Sequence, residues 1–180
     1  MKKINTQKLQ ELKSIALSDK DVMQLVEGRA KVVLYSELHK YKTLDELLEP
    51  YGAIFLLYEL KKDYGHWCAV FKQDENTIEF FDSYGNYLDN QLKWIPKNFR
   101  KISDQWYPHL TALFYNSPYK NLTYNEYPFQ HKGNQISTCG RWSSLRLVMR
   151  NLPLNIFADV FKHANSDDIV TYLTSPDLNY

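Results

Sequence analysis

Only two cysteines, Cys68 and Cys139, occur in the 180 residues. One disulfide at most can form, which excludes the stapled framework of small secreted domains. No apolar run approaches the ~20 residues needed to span a bilayer; the longest, Ala53 to Tyr58, has the length of one strand. Nor does the start, Met1-Lys2-Lys3-Ile4-Asn5, lead into the apolar segment of a secretory signal. Excess charge is missing too. Lys and Arg number 22 against 21 Asp and Glu, a net charge of +1, which gives no general pull toward nucleic acid or membrane. With 6 glycines and 7 prolines there is no Gly-rich phosphate loop and no flexible linker, and no repeat divides the chain. The reading is a single domain over residues 1–180 in a reducing setting, not a secreted one.

What is present is an ordinary globular balance, 44% hydrophobic and 24% charged, with a high aromatic share of 15% that includes 14 tyrosines. Leu9, Leu12, Ile15 and Ala16 recur at helical spacing and predict an amphipathic helix over 5–16. Ser18-Asp19 predicts the cap of a second helix that ends at Gly28, so the segment 5–27 packs on the core as helices. Lys31 to Tyr35 reads as a short strand, and Thr43 to Glu46 as a capping box. Ala53 to Tyr58 reads as a buried strand. His66 to Phe71 and Thr77 to Phe81 flank the polar turn Gln73-Asp74-Glu75-Asn76 and predict a hairpin. Helical pieces are expected between Tyr87 and Ser117, and an edge strand over Thr123 to Phe129. A helix over Thr138 to Asn151 shows Trp142, Leu145, Val148, Met149 and Leu152 on one side, and a last helix starts near Asp167-Asp168. The fold class is α+β, with a mixed or antiparallel sheet flanked by helices.

Three segments carry chemistry. Thr138-Cys139-Gly140 places a thiol in the first turn of a helix, where the helix dipole stabilises a thiolate and nearby N–H groups can hold an oxyanion. His66 follows Gly65 at a strand start. In a hairpin turning near 73–76, position 66 pairs near 82 or 83, and parity puts His66 and Asp82 on one face. An aspartate there orients the imidazole and steadies its charge. Cys139 as nucleophile, His66 as base and Asp82 as its partner form the candidate triad. Gln130, ending the edge strand, is the preferred oxyanion donor and Gln135 the alternative. Trp67 and Trp142 flank the motifs and are assigned to closing a narrow substrate slot, although core packing is the more ordinary use of such rings. Cys68 reads as core, and Glu79, on the opposite face of its strand from Asp82, as a bystander. No metal-ligand spacing is found, and no cofactor is expected.

His66-Trp67, Phe81-Asp82-Ser83-Tyr84-Gly85, Gln130 and Cys139-Gly140, in that order, resemble the adenovirus-type cysteine peptidases and the related ubiquitin-like-protein proteases (clan CE). Thr138-Cys139-Gly140-Arg141-Trp142, Val33-Leu34-Tyr35-Ser36-Glu37-Leu38 and Asp167-Asp168-Ile169-Val170-Thr171 are similar to the capsid-maturation proteases of virophages, Polinton/Maverick elements and large DNA viruses. The resemblance runs over residues 18 to 174. It implies a circularly permuted papain-like fold, with His66 as base, Asp82 orienting it, Cys139 attacking and a glutamine at the oxyanion. The family glutamine usually lies at a spacing between those of Gln130 and Gln135, which points to a loop insertion around Gly133. The resemblance further implies a monomeric endopeptidase of the virion or host cytoplasm that cuts a capsid precursor after small residues such as glycine. Some adenoviral members use DNA as an activator, for which this near-neutral chain supplies no charge. The rivals are an isopeptidase acting on ubiquitin-like modifiers and an inactive peptide-binding adaptor.

Overall fold

The apolar run at the chain's centre forms a strand buried on both faces, Ala53–Lys61 (β2), in a computed structural model that describes residues 6–175. Its Phe55 and Leu57 enter one apolar cluster, and Ile54, Leu56 and Tyr58 enter another. A strand is apolar at nearly every position only when both faces of its sheet are covered. The other strands are β1 (Lys31–Leu34), β3 (Tyr64–Lys72), β4 (Thr77–Asp82) and β5 (Asn121–Tyr124). They form a mixed sheet in the order β1-β2-β3-β4-β5. The two outer pairs are parallel and the two inner ones antiparallel.

The helices are α1 (Thr6–Ser14), α2 (Asp19–Leu25), α3 (Leu44–Leu48), α4 (Lys97–Ile102), α5 (His109–Tyr115), α6 (Cys139–Val148), α7 (Leu154–Phe161) and α8 (Ser166–Leu173), with 3-10 turns at Tyr35–Lys40 and Asn90–Trp94. Val22, Trp142, Phe157 and Val170 bring α2, α6, α7 and α8 onto the sheet face of Phe55, Trp67, Phe71 and Phe81. Tyr35, Leu47 and Leu110 cover the other face, over Leu56, Cys68, Val70 and Phe80. The fold is α+β, a five-stranded mixed sheet with helices on both flanks.

Local predictions and structure differ at four places. The first helix stops at Ser14 and leaves Ile15 and Ala16 exposed; Asn5 lies outside the described residues. The expected strand over Thr123 to Phe129 is only the edge strand Asn121–Tyr124, so Gln130 follows a loop rather than a strand. Val148, expected on the apolar side of α6, is 44% exposed. Helix α7 was not anticipated: Pro153 reads as a stop after α6, yet it stands at the N-cap of the next helix, where its fixed φ suits a helix start.

Candidate active site

The predicted hairpin of β3 and β4 forms with a different register, Asp82 lying opposite Cys68 instead of His66. Parity survives the shift, because moving by whole pairs keeps both side chains on one face. His66 and Asp82 are diagonal neighbours, and His66 Nε2 meets Asp82 Oδ1 at 2.8 Å. Gly65 makes room for this. A Cβ there would lie 1.9 Å from the Tyr58 carbonyl oxygen, beside the register shift between Glu59 and Lys61. Only glycine permits that approach of two backbones.

Asp82 has no solvent exposure, yet its carboxylate is fully engaged. Oδ1 accepts from His66 and from the Tyr84 N–H at 2.8 Å; Oδ2 accepts from Asn86 Nδ2 at 3.0 Å and Gln91 Nε2 at 2.7 Å. Burial alone would raise its pKa, but the charge and hydrogen bond of His66, with those of Gln91 and the Tyr84 N–H, hold it below the usual value. The Tyr84 ring stacks on the imidazole, centroids 4.9 Å apart and planes 16° from parallel. Sequence reasoning missed the roles of Tyr84, Asn86 and Gln91. The tight turn after Asp82 was the only signal for the first two, and Gln91 gave none.

Helix α6 starts at Cys139, as expected, but Thr138 does not cap it. Its backbone sits at φ −96°, ψ 3° and its hydroxyl donates to Asp167 instead. The Cys139 sulfur interacts with His66 and with the backbone N–H groups of Trp67 and Gly140. Since Asp82 occupies Nε2, Nδ1 is the ring nitrogen left for the thiol. Gly140 allows the close fit, because a Cβ there would meet Trp67 Cδ1 at 3.0 Å and Leu17 Cβ at 3.2 Å. Burial opposes the thiolate, but the hydrogen bond and charge of His66 and the two N–H groups outweigh it and lower the Cys139 pKa. Burial likewise opposes the imidazolium. The Asp82 carboxylate and the hydrogen bonds to Asp82 and Cys139 prevail, and the His66 pKa stands well above its ordinary value. Both shifts favour a thiolate–imidazolium pair, and the two titrations belong to the pair as a whole.

Cys139, 8% exposed, and His66 open into a cleft of about 380 Å³. Gln130 lines that cleft and Gln135 does not; Gln135 is exposed in the loop. The Gln130 amide is oriented by its neighbours. The Ser83 hydroxyl donates to Oε1 at 2.7 Å, and Nε2 donates to Tyr84 Oη at 3.2 Å and the Ile136 carbonyl at 3.4 Å. Of the two tryptophans assigned to the slot, burial corrects Trp142, whereas Trp67 lies outside the cleft and lines the groove beside it. Trp142 has no exposure and sits in the core with Phe129 and Phe157. Trp67, 4% exposed, turns its indole N–H to the Leu17 carbonyl. The rings that do line the cleft are Tyr58, Tyr64, Tyr84 and Trp94. Glu79 is no bystander either: it is fully buried and paired with Arg146.

His66, Cys68 and Asp82 bring one ligand-type atom each within 4.8 Å of one another, a set that invites a metal reading. The chemistry of the donors argues otherwise. All four Asp82 acceptor sites already face N–H donors. A metal-binding thiol must be deprotonated, whereas burial pushes Cys68 up to about 12. The group fits a hydrogen-bonded pair beside a neutral thiol better than a ligand set.

An α+β protein with a histidine held between a buried carboxylate and a thiol at a helix start is the class that fold and site define. No family model matches the chain. The uncharacterized protein V9 of Sputnik virophage is 46% identical over 166 residues, covering 89% of this chain and 94% of that protein. The chain therefore belongs to the family of virophage protein V9. The solved central domain of the uncharacterized Lpg1148 protein from Legionella pneumophila aligns over 91% of this chain and 96% of its own, at 15% identity and a TM-score of 0.42. At that level the likeness carries no argument. Among the described residues, no helix is long and apolar enough to cross a membrane.

Proposed function

We propose that this chain is a cysteine endopeptidase of a permuted papain-like type that processes viral structural proteins. One observation carries the reading: His66 lies between Asp82 and Cys139, and the largely buried Cys139 still has a lowered pKa. Burial by itself makes a thiol inert, so a thiolate favoured against burial marks a nucleophile. The viral context follows from the virophage relative.

The steps follow from the atoms. The Cys139 thiolate adds to a peptide carbonyl carbon, and the carbonyl oxygen takes the negative charge. Gln130 Nε2, on releasing its long bond to the Ile136 carbonyl, and the N–H groups at the start of α6 supply donors to that oxygen. The imidazolium then gives its Nδ1 proton to the leaving amine as the C–N bond breaks, leaving a thioester and a neutral imidazole. Water, deprotonated by His66, hydrolyses the thioester and restores the free thiolate. Asp82 keeps the ring oriented throughout and holds its own proton balance unchanged.

A second groove, lined by Leu17, Leu34, Leu57 and Trp67, shares Ala16, Tyr64 and Gly65 with the cleft. The two adjoining grooves offer an extended path for a polypeptide beside the thiol, which supports an endopeptidase over an isopeptidase. The test is incubation with the capsid precursor of the same virus, with new termini mapped by mass spectrometry and the Cys139→Ser protein as control. Cleavage after small residues such as glycine is expected. Intact precursor, together with an intact library of glycine-containing peptides, would overturn the proposal.

A further inference from the structure

We propose that Asp167 is a positioning residue that sets the gap between Gln130 and Cys139, an inference that rests on the peptidase reading of the site. Asp167 lies in the first turn of α8 and is 3% exposed. Its carboxylate accepts four hydrogen bonds, two from each side of the cleft. Oδ2 takes the backbone N–H and the ring Nδ1–H of His131, each at 2.8 Å, directly after Gln130. Oδ1 takes the Thr138 hydroxyl at 2.5 Å and the Trp142 indole N–H at 3.1 Å, on either side of Cys139.

The segment between the two anchors has little stiffness of its own, a single turn bond from the Ile136 N–H to the Gly133 carbonyl at 3.2 Å. Residues 132–137 are exposed or half-buried and form neither helix nor strand. Its other ties are single bonds, the Ser137 N–H to the Lys13 carbonyl at 2.9 Å and Gln130 Nε2 to the Ile136 carbonyl at 3.4 Å. An oxyanion hole works only when its donors are held within about 0.5 Å of the productive geometry. A carboxylate suits this brace, because an ionised Asp offers acceptor sites alone and all four donors here need one. An amide in its place would turn one oxygen into a donor and confront N–H or O–H with N–H. Asp167 thus acts through Gln130 and Cys139 and touches no substrate.

Two probes separate this role from general scaffolding. Iodoacetamide reads the Cys139–His66 pair and needs no oxyanion hole. Hydrolysis of p-nitrophenyl acetate passes through a tetrahedral oxyanion. Gln130→Ala should slow ester hydrolysis on the order of 10²-fold, and Asp167→Asn should slow it roughly 10- to 100-fold by misplacing the donor. Alkylation of Cys139 should change less than about twofold in either variant, and Asp167→Asn should cost nothing further in the Gln130→Ala background, as expected when one residue acts through the other. His131→Ala, at a side chain 52% exposed, removes one of the two bonds on the Gln130 side while keeping the backbone one, and covers the case in which Asp167→Asn fails to fold. It should slow the ester several-fold and likewise add nothing to Gln130→Ala. Additive losses in the double variants, alkylation falling in step with hydrolysis, or an unchanged ester rate in His131→Ala each overturn the brace alone. A wild-type chain inert to both probes overturns the peptidase reading, and the brace with it.

Discussion

Glu79 and Asp82 both lie on β4 without solvent exposure, on opposite faces of the sheet. Glu79 forms a two-bond pair with Arg146 at 2.6 and 2.8 Å, and Arg146 also donates to the Met149 and Leu152 carbonyls. The guanidinium lies 5.1 Å from each of the Phe71 and Phe157 ring centroids. This cluster ties β4 to the end of α6 and faces no cleft. Asp82 instead orients and steadies His66, whose far nitrogen looks into the cleft. The two carboxyls shift oppositely. Burial pushes Glu79 up against the pull of Arg146, whereas the charge and hydrogen bond of His66, with the bonds from Gln91 and the Tyr84 N–H, keep Asp82 down against its burial. Buried charge by itself marks no site. What separates the two is a cation that can release its proton, which histidine does near neutral pH and arginine never does.

Breaking the Asp82 side should give the largest effect. Cys139→Ser should abolish iodoacetamide labelling while Cys68→Ser leaves it, because Cys68 is buried and protonated; labelling that follows Cys68 would reverse the assignment. Asp82→Asn should keep the far-ultraviolet circular dichroism of the native chain yet lower ester turnover on the order of 10⁴-fold. Normal turnover in that variant would remove Asp82 from the chemistry.

Breaking the Glu79 side should cost stability and spare reactivity. Glu79→Ala leaves Arg146 buried with neither its countercharge nor its acceptor oxygens, a loss of about 3–5 kcal/mol in urea unfolding. The alkylation rate of the molecules still folded should stay unchanged. Replacing the pair jointly, Glu79→Leu with Arg146→Met, should recover most of the loss, since a buried pair often gains little over apolar residues of similar volume. A double variant as unstable as the single one would show the pair to be more than a strut.

A smaller effect is expected at Gly65, which supports only the Asp82 side. Gly65→Ala drives a Cβ into the Tyr58 carbonyl, costing about 1–3 kcal/mol and slowing alkylation by displacing His66. An unchanged alkylation rate would show that the ring tolerates the shifted strand.

The smallest effects lie in pH dependence, where the two carboxyls should differ in sign. The folded pKa of Asp82 is depressed, so its contribution is complete above its unfolded value of 3.8 and fades as pH falls through the folded one. The raised folded pKa of Glu79 means a contribution complete below 4.5 that fades as pH rises through the folded value. His66, also raised, contributes fully below 6.5 and loses that contribution as pH rises through its folded pKa. Urea midpoints measured against pH should therefore lose the acid-side fall in Asp82→Asn and keep it in Glu79→Ala. Cys139 alkylation should persist well below the pH at which an ordinary thiol of pKa 9.0 stops reacting, and its acid limb should move to higher pH in Asp82→Asn.

The amino-acid order alone determined what depends on short range. Period-two alternation put His66 and Asp82 on one face, and that survived the change of register because a whole-pair shift preserves faces. Reading Thr138 as a cap put Cys139 in the first turn of α6, where it lies although the Thr138 hydroxyl goes to Asp167, and the unbroken run at Ala53 to Tyr58 implied a buried central strand. Only the tertiary structure decided what those faces meet. Trp67 and Trp142 became core because α6 lies flat on that face of the sheet, and the Glu79 pairing needs Arg146 from the end of the same helix. The orientation of the Gln130 amide rests on Ser83, Tyr84 and Ile136, and the Asp167 carboxylate bonds residues 25 to 36 positions away along the chain. Backbone geometry repeats within a few residues and is written locally. Which surfaces cover each other follows from joint burial of segments far apart, and no local period records it.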